Sequence, residues 1–429
     1  WHSIKVRSSL HAVCQVQCAQ RCLTLPPFWT KPFMSVLIIL LIFPLLLPAW
    51  AMGVLALAAL GRHPKALRHA TDAPKPPTVA VLVPAHNEST HVLPTIANLQ
   101  AQMRPGDRLL VVADNCQDDT AELARAAGAE VIERSHAQLR GKGYALAFGV
   151  DHLRANPPDV VLVVDADCTL SDGALAQIAA DCHHSGHPVQ MLDLMHTSPG
   201  ASLKLRVMEF AMVMKNQVRP RGSFRLGRAC HLMGTGMALP WSLAEHAQLA
   251  TGHVAEDMKL GVEMAKAGRA PRFLETVQVS SAFVTDSSVA RVQKSRWEHG
   301  HLATMTEELP SLLKAALRQR DPALIVMALD LMIPPVALYF MVLSSLTLAL
   351  LALAAVWPTA AAAAGWATLS ALVFGLSIFV AWLRFGRHLL TARELLTAPL
   401  YAIWKLPVYL AYAMKKRSGW VRTERDGKK

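Results

Sequence analysis

Two carboxylates separated by one residue, Asp165 and Asp167, follow the apolar run Val160-Val-Leu-Val-Val164. In an extended chain, residues i and i+2 point to the same side. Such a pair of hard oxygen donors suits Mg²⁺ or Mn²⁺, which takes one or two protein carboxylates and completes its shell with phosphate oxygens. A solvated strand end would carry the same residues. Two further runs end in similar chemistry. Pro84-Ala-His-Asn87-Glu88 closes the first, and Asp114-Asn115-Cys-Gln-Asp118-Asp119 closes the second. Asp114 suits hydrogen bonds to a base or ribose, whereas Asp118 and Asp119 also suit plain helix capping. Lys142, between Gly141 and Gly143, opens a helix whose free N–H groups favour anions. A glycine-started helix without a ligand is the alternative.

Downstream, Gly234-Thr235-Gly236 interrupts an apolar run and implies a close backbone approach to a ligand. Glu256 and Asp257 begin an amphipathic helix. Carboxylates there complement the helix dipole, and in a cleft the same group can serve as a general base toward a hydroxyl. Gln293 and Arg296, three residues apart, share one helix face, with Trp297 adjacent. Arginine forks onto phosphate and tryptophan stacks a sugar; an Arg-Trp pair also anchors helices at a membrane surface. His299 and His301 diverge on a helix and are read as surface residues.

These residues need a scaffold. Short β-branched runs over 78–84, 108–113, 130–133 and 160–164 alternate with helical patterns up to about Met103, over 118–127 and over 141–153. That alternation predicts parallel βαβ units, an α/β doubly wound sheet, with ligands at the carboxyl ends of the strands. Around this block the chain turns apolar. Residues 35–60 carry no charge, 323–357 carry only Asp330, and 358–382 carry none. Each stretch reaches the roughly 20 residues that cross a bilayer.

The formal charge of +12 gathers beside those stretches, at Arg62, Lys65, Arg68, Arg384, Arg387 and the run Lys415-Lys-Arg417. One crossing followed by a hairpin puts all of them on the cytosolic side. No basic stripe interleaved with aromatics appears between them, so nucleic acid is excluded as a partner. Seven cysteines, none in a CxxC pair, include four in the polar block, where a cytosolic setting keeps thiols reduced. Met34 directly precedes the first apolar run, and residues 1–33 are read as a non-native or disordered leader.

Taken in order, VPAHNE (83–88), ADN (113–115), GKGYAL (141–146), DAD (165–167), GTG (234–236), ED (256–257) and QKSRW (293–297) resemble family 2 glycosyltransferases. They look like the membrane synthases of cellulose, hyaluronan, chitin and poly-N-acetylglucosamine. This likeness covers 78–302 and extends toward the C-terminal helices. The resemblance implies a GT-A, Rossmann-like fold and inverting transfer from a nucleotide sugar, most often a UDP-sugar, with Mg²⁺ or Mn²⁺. In that scheme Asp165 with Asp167 binds donor diphosphate and metal, and Asp114 holds the nucleobase. Pro84, Asn87, Glu88, Lys142, Gln293 and Arg296 complete the donor site. Asp257 is the base with Glu256 beside it, and Gly234, Thr235, Gly236 and Trp297 face the acceptor. TGHVAED is looser than the family's TED-like form, and DADC carries cysteine where a small hydroxyl residue is frequent.

The expected organisation is a transmembrane helix at 34–60, a linker at 61–77, the GT-A domain at 78–302 and an amphipathic connection at 303–321. Transmembrane helices follow at 322–357, with an interfacial start, and at 359–383. Interfacial helices at 388–414 and a cytosolic basic tail at 415–429 end the chain. The expected setting is the bacterial inner (plasma) membrane with the catalytic domain in the cytosol. QKSRW favours a growing polysaccharide as acceptor, with an export partner left open. The alternatives are transfer of one sugar to a lipid carrier or glycolipid and, more remotely, an inactive membrane scaffold subunit.

Overall fold

The computed structural model describes residues 27–61, 76–253, 255–283 and 287–403. The expected leader up to residue 26, most of the linker and the basic tail lie outside them. The chain divides into two compact units, residues 1–50 with 342–373 and residues 51–341 with 374–429.

Apolar helix dominates the first unit. It contains most of helix α1 (Pro27–Ala59) and parts of two helices near the C-terminus, Val336–Val356 and Ala361–Ala381. Ser35 Oγ donates to Thr359 O (2.7 Å) and Trp50 Nε1 to Ser370 Oγ (3.1 Å). Large apolar side chains such as Leu41, Leu348 and Leu372 are exposed, the reverse of a water-soluble surface. Three segments, Phe33–Ala59, Val336–Val356 and Pro358–Gly386, are long and apolar enough to cross a membrane, which suggests membrane association.

The second unit is built on an eight-stranded sheet. Its strands are β1 (Val79–Ala85), β2 (Arg108–Asp114), β3 (Glu130–Arg134), β4 (Val160–Val163), β5 (Thr169–Leu170), β6 (Val189–His196), β7 (Met237–Pro240) and β8 (Arg272–Ala282), in the order β3-β2-β1-β4-β7-β6-β8-β5. Neighbouring strands from β3 to β4 are parallel. Strands β1, β2 and β4 read as nearly continuous apolar runs because both faces are covered, whereas β3, at the edge, is only partly buried. Val79, Val81 and Val83 pack with α2 (Val92–Gln100), α3 (Thr120–Ala126) and the helix Ala174–Ser185. The alternate residues Ala80 and Leu82 pack with α4 (Lys142–Leu153). The helix Ala174–Ser185 is α5.

Beyond β4 the sheet is mixed, not the uniformly parallel array that the βαβ alternation predicts. Strand β7 is antiparallel to β4 and β6 to β7; β8 runs parallel to β6, and β5 antiparallel to β8. The reason lies in the connection. Gly236 N donates to Val163 O (2.9 Å) at the carboxyl end of β4. The helical segment 203–227 after β6 leaves the chain on that same side, so it enters β7 there and runs antiparallel to β4.

Helices α6 (Leu203–Val213) and α7 (Arg219–Gly227) are joined by a π-helical turn, Met214–Val218. Arg221 Nε caps the end of α1 by donating to Ala59 O (2.6 Å), which satisfies a carbonyl the helix leaves open. After α8 (Trp241–Ala244) and α9 (Glu256–Lys266), α10 runs unbroken over Ser287–Gln319 and so includes the expected connection at 303–321. Asp321 caps α11 (Pro322–Leu331) by accepting from Ala323 N at 2.9 Å, with Pro322 at the first position. Within the expected span at 322–357, α11 ends before Pro334-Pro335 and α12 (Val336–Val356) begins after them, because proline supplies no N–H to continue the ladder. Helix α13 (Ala361–Ala381) is followed by the amphipathic α14 (Ala392–Ile403). Residues 404–414 of the expected 388–414 segment lie outside the described residues.

Candidate active site

The carboxyl ends of β1, β2 and β4 lie on one edge of the sheet and open into a cavity of about 390 Å³, within the range of small-ligand sites. Pro84, Glu88, Asp114, Lys142, Asp165, Asp167, Gly234, Thr235, Glu256, Asp257, Arg296 and Trp297 all line it. Residues read from seven separate motifs thus meet in one place. Asn87 and Gly236 are not among the lining residues. Asn87, at φ 53°, instead turns its Oδ1 to Gln117 N (2.7 Å) and braces the β1 loop against the β2 loop. A Cβ on Gly236 would stand 2.5 Å from both Met191 and Val279, so this glycine serves packing. Gln293 lies on α10, and its side chain is outside the described residues.

Asp114, 6% exposed, ends β2 with its Oδ1 held by Arg134 (2.5 Å) and by the Asn115 amide (3.0 Å). Its Oδ2 has no partner among the described residues, which suits acceptance from a ligand N–H or O–H. On the opposite wall, Gly143 lets the first turn of α4 approach the 249–253 loop. A Cβ there would lie 2.5 Å from Leu249 O and 2.8 Å from Thr251 O. This contact fixes Lys142, whose Nζ bonds Asp165 Oδ1 and Gly234 O (2.9 Å for the latter). Burial opposes the lysine's charge, but Asp165, Glu256 and Asp257 outweigh it and hold the ammonium well above its ordinary pKa. Thr235 Oγ1 accepts from Asp165 N (3.1 Å), so the Gly-Thr-Gly turn also orients the strand end.

Glu256 and Asp257 open α9. Burial raises both carboxyls, Glu256 to about 7 with repulsion from Asp257 adding to it. Gly234, at φ +89°, makes room for them: its Cβ would sit 3.2 Å from Asp257 Oδ2 and 3.4 Å from Lys142 Nζ. Gly234→Ala combines a strained backbone with a methyl group between base and ammonium. We expect it to reduce turnover about tenfold or more with little loss of folded protein, as an initial-rate assay beside a thermal melt would read.

Several lining residues carry no sequence motif. Asp193 on β6 is raised to about 7, chiefly by burial, and accepts from Asn216 Nδ2 (3.0 Å). Lys215 sits beside Asn216 on the π-helical turn, where burial lowers its pKa. Such turns recur at functional sites. Arg219 grips Asp330 through Nε to Oδ1 and Nη2 to the backbone oxygen, both 2.6 Å. His231 Nε2 meets Met327 O (3.0 Å), and His301 Nε2 meets Ile333 O (2.9 Å). His301 is therefore not a surface residue. It is 6% exposed, and burial lowers its pKa to about 3, so the ring is neutral and donates to a carbonyl left open where α11 ends.

Among the described residues no group of three His, Cys, Asp or Glu side chains is arranged to hold a metal ion. The pair Asp165 and Asp167 nevertheless fits Mg²⁺ or Mn²⁺ in the way these ions bind beside phosphates, with one or two carboxylates from the protein and oxygens from the ligand and water. Asp167 and Asp165 are the residues that would hold it.

Residues 76–300 match the profile described as glycosyltransferase like family 2. Over 103 residues the chain is 36% identical to uncharacterized glycosyltransferases of Mycobacterium bovis and Mycobacterium tuberculosis, covering 24% of this chain and 43% of theirs. The match thus spans less than half the length of those curated relatives. A mannosyltransferase from Pyrobaculum calidifontis, solved in complex with GDP-Man and Mn²⁺, superposes with a TM-score of 0.53. It is 16% identical, with 90% of this chain and 100% of that one covered, a likeness of fold. The family match takes in more than half of the chain and contains the cavity's strand-end carboxylates together with Lys142, Glu256 and Asp257, so the chain belongs to glycosyltransferase like family 2.

Proposed function

We propose that the chain transfers a sugar, with inversion, from a nucleotide-sugar donor to a growing glycan at a membrane surface, in a reaction that requires Mg²⁺ or Mn²⁺. The observation that carries this reading is the convergence of Asp114, Lys142, Asp165, Asp167 and Asp257 on one cavity. Asp114 receives the nucleoside through its open Oδ2. Asp165 and Asp167 face the donor diphosphate, where a bound divalent ion supplies neutralisation of the leaving group. Asp257 takes the proton of an acceptor hydroxyl; that oxygen bonds to the anomeric carbon as the carbon–oxygen bond to the diphosphate breaks, and nucleoside diphosphate leaves. One displacement inverts the centre. Arg296 complements the diphosphate charge, and Trp297 offers a flat apolar face to a sugar ring.

The basic flanks of the apolar helices favour the inner membrane, with the site on the cytosolic side. A second reading, transfer of one sugar to a lipid carrier, gains from Asp330: the residue lines the cavity from an otherwise apolar helix, so a hydrophobic acceptor tail would lie close by. The test is release of nucleoside diphosphate by the full chain in nanodiscs across UDP- and GDP-sugars, with Mn²⁺ or Mg²⁺ and then with chelator. Release from one donor, lost on chelation and restored by the metal, is expected. Silence across the panel, with no donor binding, overturns the reading. Sizing the product separates the acceptors, since a ladder means polymer and a single added sugar on lipid means carrier transfer.

The acidic pair also sets a pH dependence. The base acts deprotonated, and burial raises both Glu256 and Asp257. Activity should therefore rise with pH and fall away on acidification above the ordinary carboxylate range, the direction in which burial moves Asp257. An unperturbed carboxylate would lose activity only near pH 4. An initial-rate profile of kcat/KM from pH 5 to 9 checks this, and a flat profile down to pH 5 contradicts it.

A further inference from the structure

One of the two carboxylates read as holding a metal, Asp165, is engaged by a cation. Lys142 Nζ bonds Asp165 Oδ1 and is steadied by Gly234 O at 2.9 Å. It is also close to the base, because one point, the site of a Cβ on Gly234, lies 3.4 Å from Lys142 Nζ and 3.2 Å from Asp257 Oδ2. Asp165, Glu256 and Asp257 thus surround one ammonium in a confined cavity. Without it, three carboxylates would repel one another at low dielectric.

A divalent ion arriving alone on Asp165 would have to share that oxygen with the ammonium or push it aside. Either course sets like charges against each other and costs the ammonium a partner. A diphosphate changes the balance. Its anionic oxygens give the ammonium a new acceptor, next to the N-terminus of α4, where free N–H groups also favour an anion. They complete the metal's oxygen shell as well.

We infer that Lys142 is a stand-in cation for Asp165, holding the carboxylate before donor binding and releasing it only when a divalent ion arrives together with a nucleoside diphosphate. Metal and donor then bind cooperatively, and the ion alone binds poorly. Linkage makes the effect reciprocal: the ion must tighten nucleotide binding by the factor with which nucleotide tightens the ion. The inference rests on the donor-site reading above and assigns Lys142 a task beyond contact with the donor.

The test is Mn²⁺ binding to the full chain in detergent, read by electron paramagnetic resonance of free Mn²⁺, alone and with UDP or GDP. In the wild type, the effective nucleoside diphosphate should tighten Mn²⁺ binding about tenfold or more. Lys142→Gln and Lys142→Met, which remove the charge and keep the stem, should bind Mn²⁺ alone about tenfold more tightly than the wild type, with a smaller gain from nucleotide. Folded variants with no tighter Mn²⁺ binding overturn the inference. So does a wild type that binds Mn²⁺ equally well with and without nucleotide, a comparison that stands even where neither variant folds. A wild type that binds no Mn²⁺ under any condition, or Mn²⁺ binding that survives Asp165→Asn combined with Asp167→Asn, overturns the donor-site reading itself.

Discussion

Asp257→Asn should abolish transfer, lowering kcat by about 10³-fold, while the affinity for nucleoside diphosphate stays within a fewfold of the wild type. The magnitude follows from general-base catalysis, worth about 10²–10⁴-fold where a positioned group takes the proton. The amide keeps the volume and the N-terminal place on α9 but cannot accept a proton. Glu256 is adjacent in sequence and also raised by burial, yet neighbouring helix residues point about 100° apart. It is Asp257 whose Oδ2 faces the Gly234 turn beside Lys142. Glu256→Gln should therefore cost less, shifting the acidic limb of the pH profile downward by removing a repelling neighbour. If Glu256→Gln were inactive and Asp257→Asn kept a tenth of the rate, the base would be Glu256.

Much of this site was legible because its residues sit at the ends of short, distinctive strands. A run such as Val160–Val164 can only be a buried strand or a short piece of buried helix, and Asp165 and Asp167 directly after it must surface at the sheet's carboxyl edge. The same logic brought Asp114 and Pro84 to the cavity. The glycines were legible as points of close approach, but not what approaches them: Gly236 faces Met191 and Val279, whereas Gly234 faces Lys142 and Asp257.

What stayed hidden depends on contacts far apart in sequence. Asp193 lies in Val189–His196, a strand whose one carboxylate reads like any outward position until Asn216 and the cavity are in place. Lys215 and Arg219 fall where helical periodicity slips through a π-helical turn, so no amphipathic pattern marks them as inward. His301 reads as a surface residue because its partner, the Ile333 carbonyl, lies 32 positions on and is opened only by the break before Pro334-Pro335. The mixed half of the sheet was hidden for a related reason. Strand direction is decided by how the chain returns, and the return to β7 runs through a turn at the end of β4.

Those hidden contacts converge on Arg219 and Asp330, and the stability of the site should depend on them. Arg219 and Asp330 are 5% and 8% exposed in their side chains and joined at 2.6 Å. The pair links α7 to α11, and both residues line the cavity. Asp330→Asn leaves a buried guanidinium without its counter-ion. Breaking a buried pair from one side costs about 3–5 kcal/mol, whereas replacing both members with apolar residues of similar size is often neutral or better. We therefore expect a marked fall in the thermal midpoint for Asp330→Asn and for Arg219→Met, and near-recovery in Arg219→Met with Asp330→Leu. The double-mutant cycle isolates the coupling. Activity should not recover with stability. The double variant removes two charges from the cavity wall that carries Lys215, so a folded protein with impaired turnover is the expected outcome. If Asp330→Asn melted with the wild type, water entering through the cavity would be compensating the guanidinium, and the pair would be a feature of the site's electrostatics alone.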